Sequence, residues 1–355
     1  VWDFSLGSDV YQPEGHFIYR VNADEIVESR VVLRSPSRGQ AKMAIDADAR
    51  STLALSSLEL RLMAIPAGNQ ATLPLPTVEE EKEAFFRLAN IEDYPEFRPT
   101  ALKLAKAYLA NADYEVDDLY RRFEYTPEAF EERIQAIYEA VLPGMHAPHR
   151  YDRDVITWSN GKRYRIGRAT DTVVRDRLLQ LAPFNLMDGV WLQGILQAGP
   201  SDEVKSRLFN IWADEVGNGH TQQNHSNVYQ DLLRSQGIYL PPITSRDFLE
   251  LDIAPGAWRS PVFQSTIGLF PQMFFPELIG MTLFLEWEAT PTLQPAVRML
   301  RNRGMNPLFY SLHVAIDNIS EGHGAIAKDA VKIFLDDKRE NGGNQAVQGN
   351  WQRIW

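Results

Sequence analysis

Cysteine is the clearest absence in this sequence, because it does not occur once in 355 residues. Without cysteine the chain has no disulfide framework, no zinc ribbon and no thiol nucleophile. Long apolar runs are missing as well, since no stretch reaches the ~18 residues that a membrane-spanning helix requires. The opening VWDFSLGSDV lacks the basic and then apolar layout of a signal peptide. These absences favour a cytoplasmic protein with no membrane partner.

Clustered basic charge is the second absence. The net charge is −11, and the 36 Lys and Arg residues form no long run. Nucleic acids and anionic membranes both bind clustered basic residues, so neither is expected as a partner. What the chain does have is 44% hydrophobic and 11% aromatic residues. That composition is sufficient for one large buried core or two ordinary ones.

Residue patterns divide the chain into three predicted parts. Residues 1–77 combine the β-like runs HFIYRV and SRVVLRS with a predicted helix near 50–64, and we expect an N-terminal arm. Apolar residues recur at helical spacing through 78–150, which predicts a helical extension. Residues 151–355 are predicted to form the main domain, helical almost throughout.

Two local signals refine this division. Thr126 and Pro127 are typical of a helix cap followed by a first-turn proline. Asn160-Gly161 lies between alternating polar and apolar residues, which predicts a small β-hairpin. The fold class expected from the whole pattern is all-α, with this hairpin as a small addition.

Ionisable residues interrupt three apolar helical segments of the C-terminal half. The segments are IWADEVGNGHTQQNHSNVYQDLL (211–233), PELIGMTLFLEWEATP (276–291) and LHVAIDNISEGHGAIA (312–327). Glu215 and Glu286 occupy inward-facing positions of the first two. His313 and Asp317 in the third are four apart, so on a helix both side chains point the same way.

Burying three carboxylates requires compensating positive charge, because each ionised group loses its hydration. No Lys or Arg occurs in 211–233 or in 308–327, so ion pairs within these segments are not expected. Two divalent cations would bring +4 against −3 from the carboxylates. Oxygen and imidazole ligands without thiolate favour iron or manganese over structural zinc.

The order of these motifs resembles a known superfamily. A ferritin-like protein needs two Glu-x-x-His motifs, and the sequence has none. D-E-V-G-N-G-H-T-Q-Q-N-H, E-L-I-G-M-T-L-F-L-E and H-V-A-I-D-N-I-S-E-G-H instead resemble the haem-oxygenase-like diiron oxidases and oxygenases, described broadly as iron-containing redox enzymes. The resemblance covers roughly residues 180–335. It implies six metal ligands: Glu215, His225, Glu286, His313, Asp317 and His323.

Two spacings depart from the simpler pattern of that superfamily. Glu215 and His225 are ten apart, as are His313 and His323, where the simpler pattern has seven. Ten residues on a straight helix aim each pair badly, so we expect a bulge or a break in both segments. The glycines at which we place these distortions are Gly217, Gly219 and Gly322.

Other polar residues compete for roles around the site. Asp188 and Glu321 are predicted to hydrogen-bond to ligands from outside the metal shell, with a helix cap as the alternative for Asp188. His220 is a weaker candidate ligand than His225. Glu277 is interpreted as a charge at a helix N-terminus.

The resemblance also implies a function and its partners. It implies a haem-oxygenase-like bundle with two Fe(II)/Fe(III) ions, O₂ as co-substrate, an external electron donor and no catalytic residue beyond the metal ligands. An amino-acid-derived small molecule in natural-product biosynthesis is the first hypothesis for the substrate, with desaturation, N-oxygenation, C–C cleavage or cyclisation as the reaction. The sequence leaves open whether the protein forms a homodimer.

Three alternatives remain from the sequence. A fatty-acid substrate would need a long apolar tunnel, which FPQMFFPELIGMTLF could line. An amino acid would instead need an inward Arg or Lys for its carboxylate, and Arg234, Arg298 and Arg301 are the candidates. A binding protein without catalysis and a true haem oxygenase are the remaining classes.

Overall fold

A computed structural model describes this protein from residue 73 to its last residue, apart from 113–117, 153–154, 160–161, 168 and 197–198. Among the first 72 residues it describes four strands. The predicted helix near 50–64 lies outside the described residues. Two compact units result, Val1–Ala71 and Thr72–Trp355. The boundaries predicted at residues 77 and 150 stay predictions.

The first unit contains a four-stranded antiparallel sheet with its strands in sequence order. The runs HFIYRV and SRVVLRS lie in its two longest strands, which pair with Phe17 opposite Val31. The strands are β1 (Trp2–Ser5), β2 (Glu14–Asn22), β3 (Glu25–Ser35) and β4 (Gly39–Met43).

The described residues of the second unit are mainly helical, which confirms the predicted all-α class. The helices are α1 (Val78–Ala89), α2 (Arg98–Ala110), α3 (Pro127–His146), α4 (Asp171–Gln180), α5 (Ala182–Asn185), α6 (Glu203–Glu215), α7 (His225–Ser235), α8 (Arg259–Gly268), α9 (Phe275–Trp287), α10 (Ala289–Asn302), α11 (Leu308–Ile316) and α12 (His323–Ile354). Short 3₁₀ helices lie at Pro95–Phe97, Asp118–Tyr120, Arg150–Asp152, Val190–Leu192, Arg246–Glu250 and Pro255–Ala257.

Two strands of this unit, β5 (Val155–Ser159) and β6 (Lys162–Gly167), pair antiparallel with Ser159 opposite Lys162. The Asn160-Gly161 pair that joins them lies outside the described residues. Among the described residues, no helix combines the length and the apolarity needed to cross a bilayer.

Side chains supplied by the sequence cap the first long helices. Thr77 and Glu80 exchange hydrogen bonds with each other's backbone, so α1 begins with a capping box. Thr126 accepts a hydrogen bond from the backbone N–H of Ala129 ahead of Pro127. The predicted cap and first-turn pair is therefore confirmed.

Three helices form the frame of the C-terminal half. Helix α12 packs against both α6 and α9. Phe334 of α12 meets Phe275 at the start of α9, with ring centroids 5.5 Å apart, while His323 meets Glu286 near the end of α9. The part of α12 before its kink at Gly343 therefore runs antiparallel to α9, and the start of α12 lies beside the ends of the other two helices.

The last residues, WQRIW, form hydrogen bonds with the segment between α2 and α3. Trp351 is 1% exposed and donates to the carbonyl of Phe123, and Trp355 donates to that of Tyr120. Gly280 of α9 lies against the Ile354 carbonyl, where a Cβ would approach to 2.0 Å. A side chain at position 280 would separate the two helices, which accounts for the glycine in ELIGMTLFLE.

Candidate metal centre

A turn between α6 and α7 brings Glu215 and His225 together. Helix α6 ends at Glu215 and α7 begins at His225, and Gly217, Asn218 and Gly219 between them have positive φ angles. A Cβ on Gly217 would approach the backbone nitrogen of Asn224 to 2.4 Å. The distortion expected in this segment is a complete break between two helices, and it requires glycine.

A second break separates α11 from α12. The Asn318 side-chain oxygen accepts hydrogen bonds from the backbone nitrogens of residues 320, 321 and 322 at 2.9–3.2 Å. A Cβ on Gly322 would approach the Ile316 carbonyl oxygen to 2.0 Å, so this turn also requires glycine. The break places His323 at the first position of α12, and the predicted distortion is confirmed.

Four side chains form the first cluster: Asp188, Glu215, His225 and His313. His225 Nδ1 lies 2.5 Å from Glu215 Oε2 and 3.4 Å from Asp188 Oδ2. His313 Nε2 lies 3.1 Å from the same Asp188 oxygen. The two imidazole rings are adjacent, with centroids 4.4 Å apart.

Four side chains form the second cluster: Glu215, Glu286, Asp317 and His323. All four are buried, each at 3% exposure or less. His323 Nδ1 lies 3.2 Å from Asp317 Oδ1, 3.5 Å from Glu286 Oε2 and 3.6 Å from Glu215 Oε1. Glu215 thus belongs to both clusters, with one carboxylate oxygen directed to each.

Atoms outside the clusters orient two of the imidazoles. His313 Nδ1 donates to the Phe309 carbonyl at 2.8 Å, which leaves Nε2 facing Asp188. His323 Nε2 donates to Asp214 Oδ2 at 2.9 Å, which leaves Nδ1 facing the second cluster. In metal sites such outer hydrogen bonds fix which ring nitrogen is available as a ligand.

Asp188 reaches the first cluster from the loop that follows α5. Its neighbour Gly189 has φ 76°, and a Cβ there would approach Glu215 Cβ to 2.9 Å. The Ser226 hydroxyl donates to the Leu186 carbonyl and ties this loop to the start of α7. The loop can approach α6 this closely because residue 189 has no side chain.

Buried atoms without hydrogen-bond partners show that cations fit these clusters. Among the described residues, each cluster has one such carboxylate oxygen and one such imidazole nitrogen: Glu215 Oε2 and His225 Nδ1, and Asp317 Oδ1 and His323 Nδ1. The ion pairs that these carboxylates form in the described structure are with histidine alone. Polar atoms are rarely left buried without a hydrogen bond, and a cation in each cluster would supply the partner that these four atoms lack.

Residues 175–355, more than half of the chain, match the model of a family described as an iron-containing redox enzyme. The chain belongs to this family. Comparison with curated proteins gives no match. The family match covers every residue of both clusters and confirms the haem-oxygenase-like superfamily expected from the three motifs. For a member of this family, iron is the metal that the carboxylate and imidazole clusters indicate.

The structure brings all six predicted ligands of this family member together and adds Asp188 to them. Glu321 is exposed and belongs to neither cluster, and His220 is likewise exposed. Glu277 lies in the first turn of α9, paired with Arg353 at 2.7 Å. Asp214 and the Phe309 carbonyl were missed by sequence reasoning, although Asp214 directly precedes Glu215.

The pKa values of the carboxylates diverge within the site. Burial, and then the charge of Asp188, raises the pKa of Glu215. Burial, and then the charge of Asp317, raises that of Glu286 well above its usual value. Burial also acts to raise the pKa of Asp188, but hydrogen bonds with His225 and His313 outweigh it and lower this pKa. Without a cation, the buried carboxylates therefore depend on the imidazoles for compensation.

The pKa values of the imidazoles are all raised. Burial alone would lower them, yet the adjacent carboxylates of Asp188 and Glu215 raise the pKa of His225 to about 9. The hydrogen bond to Asp188 raises that of His313 to about 10. The adjacent carboxylates of Asp317 and Glu286 raise that of His323 to about 12. In the metal-free protein near pH 7 the imidazoles carry protons that a metal must displace.

Proposed function

We propose that this protein is an O₂-activating non-haem diiron oxidoreductase. The observation that supports the proposal best is the sharing of Glu215 by two buried clusters. One carboxylate directed to two adjacent cation positions suits a dinuclear site better than two independent ones. The carboxylate and imidazole ligand set, without thiolate, suits iron.

We assign the ligands by cluster. Asp188, His225 and His313 would hold one iron, Glu286, Asp317 and His323 would hold the other, and Glu215 would bridge the two. With Asp188 included, four carboxylates contribute −4 and two ferrous ions contribute +4. The reduced site is then neutral with neutral imidazoles, which removes the charge imbalance of the six-ligand set.

The residues of this chain would orient the site and exclude water from it. Bound iron would supply the redox chemistry with O₂, with electrons from an external donor. Phe309 packs against the His313 ring at 4.6 Å and against Tyr229 at 4.7 Å, and these aromatic rings cover one side of the first cluster. Glu215 and Glu286 come from α6 and α9, which both pack against α12, and together with His323 of α12 they would hold the second position.

Metal stoichiometry tests the proposal directly. Anaerobic reconstitution with Fe(II) followed by elemental analysis should give two irons per chain. Glu277→Gln is a matched control, because Glu277 lies on the same helix as Glu286 but pairs with Arg353 and belongs to neither cluster. Retention of two irons after Glu286→Ala, His313→Ala or Asp317→Ala would contradict the assignment.

Two further measurements separate the alternative classes. A cofactor-free binding protein of the same fold would take up no iron after anaerobic Fe(II) addition and would consume no O₂. A haem oxygenase would develop a Soret band with haem. Outside the two clusters, the histidines whose side chains the structure describes are His146, His149 and His220, and none of them lies in α6, α7, α9, α11 or α12. We expect O₂ consumption and no Soret band.

For the substrate, we propose first an amino-acid-derived small molecule in a biosynthetic pathway. This choice is based on the range of substrates in the superfamily that the sequence resembles. Its carboxylate would need a cationic partner. Arg298 donates to the carbonyls of Met145 and Ala147, Arg234 pairs with Asp231, and Arg301 is exposed. These three arginines therefore provide no support for that substrate.

A fatty acid is the second candidate, and a cleft of about 530 Å³ favours it. Phe275, from the apolar stretch FPQMFFPELIGMTLF, lines this cleft together with Ile195, Val204 and Phe334, and with Lys205 and Lys338. Val204, Phe275 and Phe334 each lie eleven residues along a helix from Glu215, Glu286 and His323, about 16 Å at 1.5 Å per residue. Lys205 and Lys338 pair with Asp202 and Asp337, which also line the cleft. The carboxylate of an alkyl chain that extends toward the clusters would therefore have to displace these partners.

Substrate panels discriminate the two classes. Iron-loaded protein would be mixed with aliphatic and aromatic amino acids, and separately with fatty acids of increasing length, while O₂ consumption is followed. Stimulation by amino acids alone supports the first proposal. Stimulation by fatty acids, with a higher KM after Lys205→Gln or Lys338→Gln, supports the second and overturns the first.

A further inference from the structure

Asp214 is a carboxylate beside the site that belongs to neither cluster. It precedes Glu215 at the end of α6, and its side chain is 39% exposed. Its Oδ2 accepts a hydrogen bond from His323 Nε2 at 2.9 Å. Its Oδ1 accepts one from the side-chain amide of Asn218. Asp214 thus connects the α6–α7 turn to the first residue of α12.

The backbone of this turn is arranged for that contact. Asn218 has φ 51°, a left-handed conformation that asparagine tolerates better than most residues. Its backbone N–H donates to the Ala213 carbonyl at 2.7 Å, and that of Gly217 donates to the Asp214 carbonyl at 2.9 Å. The folded turn holds the Asn218 amide against Asp214, so both oxygens of Asp214 have defined partners.

The contact determines which nitrogen of His323 is free. A neutral imidazole has one N–H, and Asp214 accepts it from Nε2, so Nδ1 presents its lone pair. Nδ1 is the atom that lies 3.2–3.6 Å from Asp317, Glu286 and Glu215. His323 is also the single imidazole of the second cluster. An imidazole with its proton on Nδ1 would have no lone pair to offer there.

We propose that Asp214, held by Asn218, is a positioning residue that sets the tautomer of His323 and thereby the metal affinity of the second cluster. The inference rests on the proposed diiron site. Loss of a hydrogen-bonding partner to a metal-ligating histidine typically weakens metal binding 10–100-fold. The first cluster should be unaffected, because His313 is oriented by the Phe309 carbonyl instead.

Cobalt(II) titration of the full chain tests this, with equilibrium dialysis for affinity and visible d–d absorption for the ligand environment. Wild-type protein should bind two Co(II). Asp214→Ala should weaken the second equivalent roughly 10–100-fold and change its absorption band, while the first equivalent keeps its affinity and spectrum. Asp214→Asn keeps an acceptor oxygen and should restore most of the affinity. Asp231→Ala, which removes another exposed aspartate, should match wild type.

Asn218→Gly provides a second route that does not alter Asp214. Glycine accepts the left-handed backbone, so the turn is retained while the amide donor is lost. We expect a several-fold weaker second equivalent. Unchanged affinities in Asp214→Ala, or equal weakening of both equivalents, would overturn the role of Asp214. Wild-type protein that binds fewer than two Co(II) would instead overturn the diiron proposal and this inference with it.

Discussion

The two clusters share Glu215 but differ in composition and support. The first has two carboxylates and two imidazoles, and the second has three carboxylates and one imidazole. In the first, His313 lies within helix α11. In the second, Asp317 caps the end of that helix and His323 starts the next one. The second cluster therefore has more negative charge to compensate and is built on a turn.

This difference has an electrostatic consequence for the metal-free protein. Two protonated imidazoles face Asp188 and Glu215 in the first cluster, whereas one imidazole faces three carboxylates in the second. A cation bound at the second cluster would therefore relieve more repulsion. His323 also places this cluster at the N-terminal end of α12, where the helix dipole favours negative charge.

The largest expected effect comes from the residue common to both clusters. Glu215→Ala should reduce iron from two per chain to none, because both positions lose a ligand. His225→Ala and Glu286→Ala should each leave about one, since each removes a ligand from a single cluster. Elemental analysis after anaerobic reconstitution measures this. One iron retained by Glu215→Ala would show that the clusters are independent.

The second prediction is that Glu286→Gln has opposite effects on the stability of metal-free and iron-loaded protein. Burial and the charge of Asp317 raise the pKa of Glu286, so this carboxyl destabilises the metal-free fold above its unfolded pKa. Glu286→Gln should raise the free energy of unfolding of metal-free protein by roughly 0.5–3 kcal/mol and lower that of iron-loaded protein.

Thermal unfolding with and without Fe(II) checks this prediction. Glu277→Gln on the same helix should do the reverse in metal-free protein, because it removes a partner of Arg353. A lower melting temperature of metal-free Glu286→Gln would contradict the account of repulsion.

The third prediction concerns pH. His225 and His313 have pKa values raised to about 9 and about 10, above the ~6.5 of an unfolded histidine. Their contribution to stability is complete below about pH 6.5 and is lost as the pH rises through 9 and 10. Metal-free protein should therefore melt at lower temperature at pH 10 than at pH 7. Iron-loaded protein should show a smaller change, since its imidazoles are already deprotonated.

Calorimetry across this pH range measures the difference. His225→Gln should reduce the loss of stability near pH 9. A melting temperature of metal-free protein that does not fall between pH 7 and pH 10 would contradict the prediction.

The smallest expected effects come from two glycine substitutions, one in the turn between α11 and α12 and one within α12. Gly322→Ala would place a Cβ 2.0 Å from the Ile316 carbonyl, so it should lower the melting temperature and weaken one iron position. Gly349 lies beyond the kink at Gly343 in α12 and is exposed, and a Cβ added there would meet no atom within 4 Å. The free energy of unfolding of Gly349→Ala should rise by up to about 1 kcal/mol, because alanine has a higher helix propensity than glycine. Iron content and thermal unfolding of the two variants, compared side by side, test the role of the turn.

The limits of prediction from sequence are clear at particular residues. Glu215 and Glu286 were accessible because each interrupts an apolar helical pattern, whereas His225 and His323 came from the resemblance to the superfamily. Asp188 lies in a loop after a four-residue helix, where no periodicity indicates which way a side chain points. Its one local signal is Gly189, whose close approach to Glu215 depends on tertiary structure.

The sequence by itself determined the helical class, the positions of the two helix breaks and the ligand chemistry, because periodicity, glycine and side-chain type are local properties. Only the tertiary structure decided which ligands belong to which of the two clusters. His313 and Asp317 are four residues apart on one helix, yet they belong to different clusters. The division depends on which carboxylates the neighbouring helices α6 and α9 bring to each side of Glu215, and helix packing distances are not encoded in the spacing of residues along one segment.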